Sequence, residues 1–296
     1  VFRVPVKNLT PLPIEPAQLA RPLPPRQVDG VMGSAAHRCS PRRLACPLAV
    51  GLLASVLGLG ARGAMAGQGA SSYDPTFASA PSFVHAALDA GACFAELDER
   101  QVVYEKVAEA AGVMAPVRLP KGVGGVTYRT ELPPEQGRSS PWEVFDCRLV
   151  LSLLELSKIL KAHRIDEVSM FSAWRPPGKS WPKGKLAVRH PGGLAIDIMR
   201  FGRDAARAAE APDVPKERQR LTVAELFHGH IGDTTCGEGA TPPTQAGAET
   251  LELRALVCEV AAARIFTSIL TPNYDKPHAN HLHFDLAVDV KWRLVR

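Results

Sequence analysis

Residues 281–286 read His-Leu-His-Phe-Asp-Leu, an unbroken alternation of polar and apolar side chains. Side chains alternate across a β-strand, so Leu282, Phe284 and Leu286 fall on one face and His281, His283 and Asp285 on the other. The spacing predicts a strand over 281–288. Residues 194–201 (LAIDIMRF) repeat the pattern, with Leu194, Ile196 and Ile198 toward a core and Asp197 away from it. If the two strands are neighbours, their polar faces share one cleft. His190-Pro191-Gly192-Gly193 precedes the second stretch, and the glycine pair lets the chain turn so that His190 folds back toward Asp197.

Outward from these strands, the strongest helix signal is 147–163. There Leu149, Leu153, Leu156 and Leu160 share a face, and Asp146 stands at the N-cap position. Residues 166–174 read as a buried strand, and 83–112 have helical spacing. The Gly/Pro-rich stretch 115–141 is expected to hold a short hairpin around Gly124-Gly125. Residues 203–222 read as a solvated helix or excursion, 237–248 as a loop, and Thr250 to about Arg264 as a helix. The expected class is α+β: a small, mostly antiparallel sheet with helices on one side and a polar cleft on the other.

The chain has 296 residues, 46% hydrophobic and 22% charged, which is ordinary globular composition. Its formal charge of +5 is a local feature, because residues 1–66 hold eight of the 35 Lys/Arg and two of the 30 Asp/Glu. The remainder is near neutral and gives no footprint for nucleic acid. From Met32 the order is basic (Arg38, Arg42, Arg43), apolar (Leu44 to Leu59), then Ala64-Met65-Ala66, which reads as a secretory signal peptide over 32–66. Its apolar run is shorter than the roughly 20 residues a membrane span needs, so no stable span is expected after cleavage. Residues 1–31, with seven prolines by residue 25, read as an unfolded upstream segment. Residues 67–82 read as a linker and 83–296 as the folded domain. The expected location is periplasmic or secreted; oligomeric state has no sequence signal.

Beyond the leader four cysteines remain, an even number that suits two disulfides in an exported chain. Of three possible pairings, Cys93–Cys147 with Cys236–Cys258 staples each half locally and is the expected one. A catalytic zinc site takes three His, Asp or Glu ligands and leaves one position open for water. His190, Asp197 and one histidine of the 278–283 run supply such a set. His228-Gly229-His230 followed by Cys236 could form a second metal site, but outside the cell Cys236 is better used in a disulfide.

His190-x-x-Gly-x-Ala-x-Asp197, followed late in the chain by His281-x-His283, resembles the zinc peptidases that include D-alanyl-D-alanine carboxypeptidases, the lysostaphin group and the murein endopeptidases. The run from about Cys93 to Leu286 is similar to the bacterial extensin-like C-terminal family. The matching elements are Cys147 at a helix start, Ser172-Ala173-Trp174-Arg175-Pro176, His190 to Asp197, Cys258, and Pro272-Asn273-Tyr274 leading into His278-x-x-His281-x-His283. The resemblance implies a fold of the DD-peptidase and hedgehog type with zinc in the cleft, held by His190, Asp197 and His283. It makes His281 the catalytic partner, and His281 or His278 the group that shuttles a proton. It sets Arg175 on the substrate carbonyl. The carboxypeptidases carry a Glu shortly before the last histidine; Asn280 and His281 stand here instead, as in the endopeptidase pattern. The implied function is hydrolysis of a peptide or amide bond in peptidoglycan or a muropeptide. The alternative is a non-catalytic, zinc-stabilised wall-binding or structural protein.

Overall fold

The strands at Ala195–Arg203 and Leu282–Asp285 lie side by side and antiparallel, with Asp197 opposite His283 and Ile196 opposite Phe284. A computed structural model describes residues 78–210, 212–213 and 219–296, all in one compact unit. The upstream segment, the signal peptide and all but the end of the linker lie outside the described residues.

Ten strands are described: β1 (Glu105–Lys106), β2 (Pro116–Arg118), β3 (Thr127–Arg129), β4 (Phe145–Asp146), β5 (Ile165–Ser172), β6 (Ala195–Arg203), β7 (Arg220–Thr222), β8 (Ser268–Leu270), β9 (Leu282–Asp285) and β10 (Leu294–Val295). The α-helices are α1 (Pro81–Ala86), α2 (Ala90–Glu99), α3 (Pro134–Ser139), α4 (Cys147–Ala162), α5 (Ala205–Ala209), α6 (Val223–Leu226) and α7 (Ala248–Ala263). The main sheet runs β10-β8-β9-β6-β5-β3, and β7 also pairs with β6. β3 and β10 join it parallel, while the β5–β6, β6–β7, β6–β9 and β8–β9 pairings are antiparallel. A second, antiparallel sheet runs β1-β2-β4. The class is α+β with a mostly antiparallel sheet.

The alternation sorts the strands as their sequences require. Ile196, Ile198, Leu282 and Phe284 enter one core with Val168 and Met170 of β5, Leu149, Leu153 and Leu156 of α4, and Leu253, Val257 and Val260 of α7. Asp197, His283 and Asp285 lie outside that cluster yet are buried. Leu194 is buried too, but ahead of the strand and outside the same cluster. A bulge in the β5–β6 register, between Ser169–Arg200 and Met170–Ile198, makes Met199 an extra residue and returns Phe201 to the core side.

Several expectations change. Residues 83–112 are not continuously helical: Asp89 accepts the Ala92 N–H and starts a new helix, and Gln101, at φ 56°, follows its end. Val123 and Val126 close the expected turn around Gly124-Gly125 with reciprocal hydrogen bonds, but the antiparallel pairing is a single bridge, and β3 beyond it pairs in parallel with β5. The last long strand is Leu282–Asp285, shorter than 281–288 and without His281. The excursion at 203–222 holds α5 and the short β7. Disulfides join Cys93 to Cys147 and Cys236 to Cys258, as expected. Covalent cross-links of this kind fit an exported protein. Among the described residues no helix is long and apolar enough to cross a membrane.

Candidate metal centre

The register that sets Asp197 against His283 puts their side chains on one face, and the turn at 190–193 brings in His190. That turn is tight: Gly193 adopts φ 64°, and its N–H donates to the His190 carbonyl at 3.0 Å. His190 Nε2, Asp197 Oδ1 and His283 Nδ1 form a triangle with edges of 3.1, 3.2 and 2.9 Å. Ligands at about 2.0–2.1 Å on a tetrahedral ion lie roughly 3.3 Å apart, so the triangle is within a few tenths of an ångström of a metal-binding set.

The outer sides of both rings decide their tautomers. His190 Nδ1 lies 2.7 Å from the Ala173 carbonyl, which only accepts, so Nδ1 carries the proton and Nε2 turns a lone pair inward. His283 Nε2 lies 3.1 Å from Asp285 Oδ2, and donating there leaves its Nδ1 lone pair facing the same centre. Two imidazole lone pairs and a carboxylate oxygen at this spacing repel one another unless a cation or a proton sits among them. Burial opposes charge on His283, yet hydrogen bonds to Asp197 and Asp285 outweigh it and push its pKa up to about 9. Burial likewise opposes ionisation of Asp197, but His190 and His283 hold it well below the usual carboxylate range. These three residues could hold a metal ion, and the donor set, two neutral imidazoles and a carboxylate, fits zinc.

Around the triangle stand the other residues singled out in the sequence. Arg175 does not approach the centre free-handed. Its Nη2 is bound to Asp197 Oδ2, its Nε donates to Ser172 Oγ at 2.8 Å, and its side chain is 51% exposed. His281 lies outside β9, but its Nε2 comes to 3.5 Å from Asp197 Oδ1 while Nδ1 lies 2.9 Å from Asn280 Oδ1. Burial lowers its pKa to about 4 against the attraction of Asp197, so its imidazole is neutral near pH 7. His278 packs within 5.0 Å of the His281 ring, and its Nδ1 is 2.6 Å from Asp275 Oδ1. His228 and His230 are not drawn into a second cluster with Cys236, which is in a disulfide.

Residues not singled out also shape the site. Asp275 holds His278, a contact readable in retrospect because Asp275 caps the short turn Lys276–His278. Thr267 Oγ1 donates to Asp285 Oδ1 at 3.1 Å, Arg189 Nε lies 3.5 Å from Asp285 Oδ2, and the exposed Phe171 meets the His281 ring edge-on. These contacts join residues far apart in the chain, and no local pattern marks them.

No curated protein and no solved structure matches this chain. The sequence model of one family does match, over the segment that carries α7, β8, β9 and the histidine run, while His190 and Asp197 lie outside the match. Residues 244–296 are similar to the family described as the extensin-like protein C-terminus.

Proposed function

We propose that this protein is an exported zinc hydrolase that cuts a peptide or amide bond of bacterial peptidoglycan. The observation that carries the reading is the convergence of His190 Nε2, Asp197 Oδ1 and His283 Nδ1, with the proton-bearing ring nitrogens turned outward. Bound there, zinc would lower the pKa of a water toward about 7 and polarise the scissile carbonyl. The chain's own groups do the rest. His281, neutral and with Nε2 beside the triangle, accepts a proton as the water attacks. Arg175, half exposed beyond its contact with Asp197, offers a fixed positive charge to the oxygen on which negative charge grows. The proton taken up by His281 then passes to the leaving nitrogen through His278, whose ring is held by Asp275 and lies 5.0 Å from that of His281. The choice of a wall substrate rests on the motif resemblance and on the two disulfides of an exported chain.

A second reading, a zinc-stabilised wall-binding protein without turnover, draws on one observation. The carboxylates at the centre are already engaged, Asp197 by Arg175, Asp285 by Arg189 and His283, and Asp275 by His278, which leaves no carboxylate base among them. Two measurements separate the readings. Metal analysis of the full chain should find one zinc per molecule, lost in His283→Ala. Muropeptides incubated with the zinc form and followed by mass spectrometry should be cleaved, and His281→Ala should slow cleavage about 100-fold or more. Substrate left equally intact by both proteins would make the binding role the better account.

A further inference from the structure

Arg189 stands immediately before His190 with φ 50° and ψ −139°, a backbone region costly for any residue that has a Cβ. The turn holds it there: its carbonyl accepts the N–H groups of Gly192 at 3.0 Å and Leu194 at 2.9 Å. Glycine would occupy this position without strain, so the arginine side chain must supply something the turn does not need. That side chain reaches Asp285, a fully buried carboxylate. Asp285 Oδ2 accepts from His283 Nε2, and His283 Nδ1 belongs to the triangle. The chain of contacts therefore runs from a half-exposed guanidinium through a buried carboxylate to an imidazole at the centre. Arg175 makes the matching arrangement on the other carboxylate, Asp197.

We infer that Arg189 is a positioning residue of the metal centre: it holds the Asp285 carboxylate aimed at His283 Nε2, and so fixes the tautomer and tilt with which His283 presents Nδ1. Hydrogen-bond partners outside a metal's direct ligands raise ligand basicity and orient the ring. Without the guanidinium the Asp285 carboxylate loses a contact that fixes its orientation, and its aim at His283 Nε2 loosens. The inference rests on the zinc reading above.

The test uses the full chain as wild type, Arg189→Gly, Arg189→Met and Arg189→Lys. Zinc affinity is measured by competition with a chromophoric chelator, and the cobalt-substituted proteins are compared by their visible spectra. Thermal midpoints are taken on the metal-free forms. Gly and Met are expected to weaken zinc binding about tenfold and to shift the cobalt spectrum, while Lys, which restores the charge, recovers most of the affinity. The metal-free midpoint of Arg189→Gly should lie above that of Arg189→Met, because both lose the contact with Asp285 and only glycine relieves the backbone. Equal zinc affinity in wild type, Gly and Met overturns the inference. So does a loss of affinity that scales with the metal-free midpoint across the variants, which marks a structural role only. A wild type that binds no zinc defeats the parent reading itself, a different result from variants that match a zinc-binding wild type.

Discussion

Gly192 occupies a place where a side chain would meet backbone: an added Cβ would lie 2.3 Å from the Ala187 carbonyl oxygen. Since His190 is carried by the same turn, forcing the two strands of chain apart also moves a member of the triangle. Gly192→Ala is expected to cost about 1–3 kcal/mol, the usual range for overpacking, and to weaken binding of the proposed zinc. Gly178→Ala is the control, because nothing lies within 4 Å of its added Cβ, and a change within about 0.5 kcal/mol is expected there. Urea unfolding of both variants at neutral pH checks the pair; equal stabilities would mean the turn yields freely. At this scale the sequence was informative where one residue type answers a local need. The glycine pair announced the turn, and the alternation around Asp197 and His283 announced which side chains share a face. It was mute about Arg175 on Asp197 and Arg189 on Asp285, since those contacts exist only once the Asp197–His283 register and the turn are set.

Elements were legible in proportion to their length. α4, at Cys147–Ala162, ends one residue short of the predicted 163, because four leucines on one face and a capping Asp146 leave little choice. Strands of two or three residues such as β1, β7 and β10 carry no period to read, and the helical spacing over 83–112 hid the break at Asp89. α1 exists as a separate element and brings a buried histidine against α4. His85 is 4% exposed, and its Nδ1 lies 3.0 Å from Ser152 Oγ. Burial pushes its pKa down to about 4; Arg100 and Lys158 reinforce the shift, and Glu155 and Glu96 oppose it. The folded protein thus refuses a proton that the unfolded chain, with the ordinary value near 6.5, accepts. Stability from this group is complete above about pH 6.5, falls as the pH drops, and levels off below about pH 4. The linkage amounts to about 3 kcal/mol in full, with roughly 2 kcal/mol gone by pH 5. Urea unfolding at pH 7 and pH 5 should show wild type losing about 2 kcal/mol more than His85→Gln, which cannot titrate. Parallel losses would mean that α1 lifts away from α4 before global unfolding and lets His85 ionise in a near-native state.

For the molecule as a whole, the cross-links stand on helices and a loop and the candidate centre on the sheet. The two meet at Asp146, next to Cys147: the Asp146 N–H donates to the Gly193 carbonyl at 2.9 Å. Cys93–Cys147 joins α2 to the first residue of α4, and Cys236–Cys258 joins a loop to α7, while the triangle stands on β6, β9 and the turn at 190–193. The pairing could be anticipated because local closure is the simplest way for four cysteines to staple two regions; the contact between the start of α4 and the turn at 190–193 could not, because it depends on how the helices lie against the sheet. Removing either disulfide should lower stability, and removing Cys236–Cys258 should leave metal binding at the proposed centre intact. The bridges close loops of 54 and 22 residues, and in the chain-entropy account their loss costs about 4.2 and about 3.4 kcal/mol respectively. The double variants Cys93→Ala/Cys147→Ala and Cys236→Ala/Cys258→Ala, unfolded in urea without reductant, should both be less stable than wild type, the first by the larger amount. Content of the proposed zinc, measured at low urea where each variant is still folded, should stay at the wild-type level in Cys236→Ala/Cys258→Ala. A reversed order would show that native packing around the Cys236–Cys258 bridge outweighs loop entropy. Zinc lost from that variant while folded would show that its staple reaches the centre through α7, one of the helices that back the inner face of the sheet.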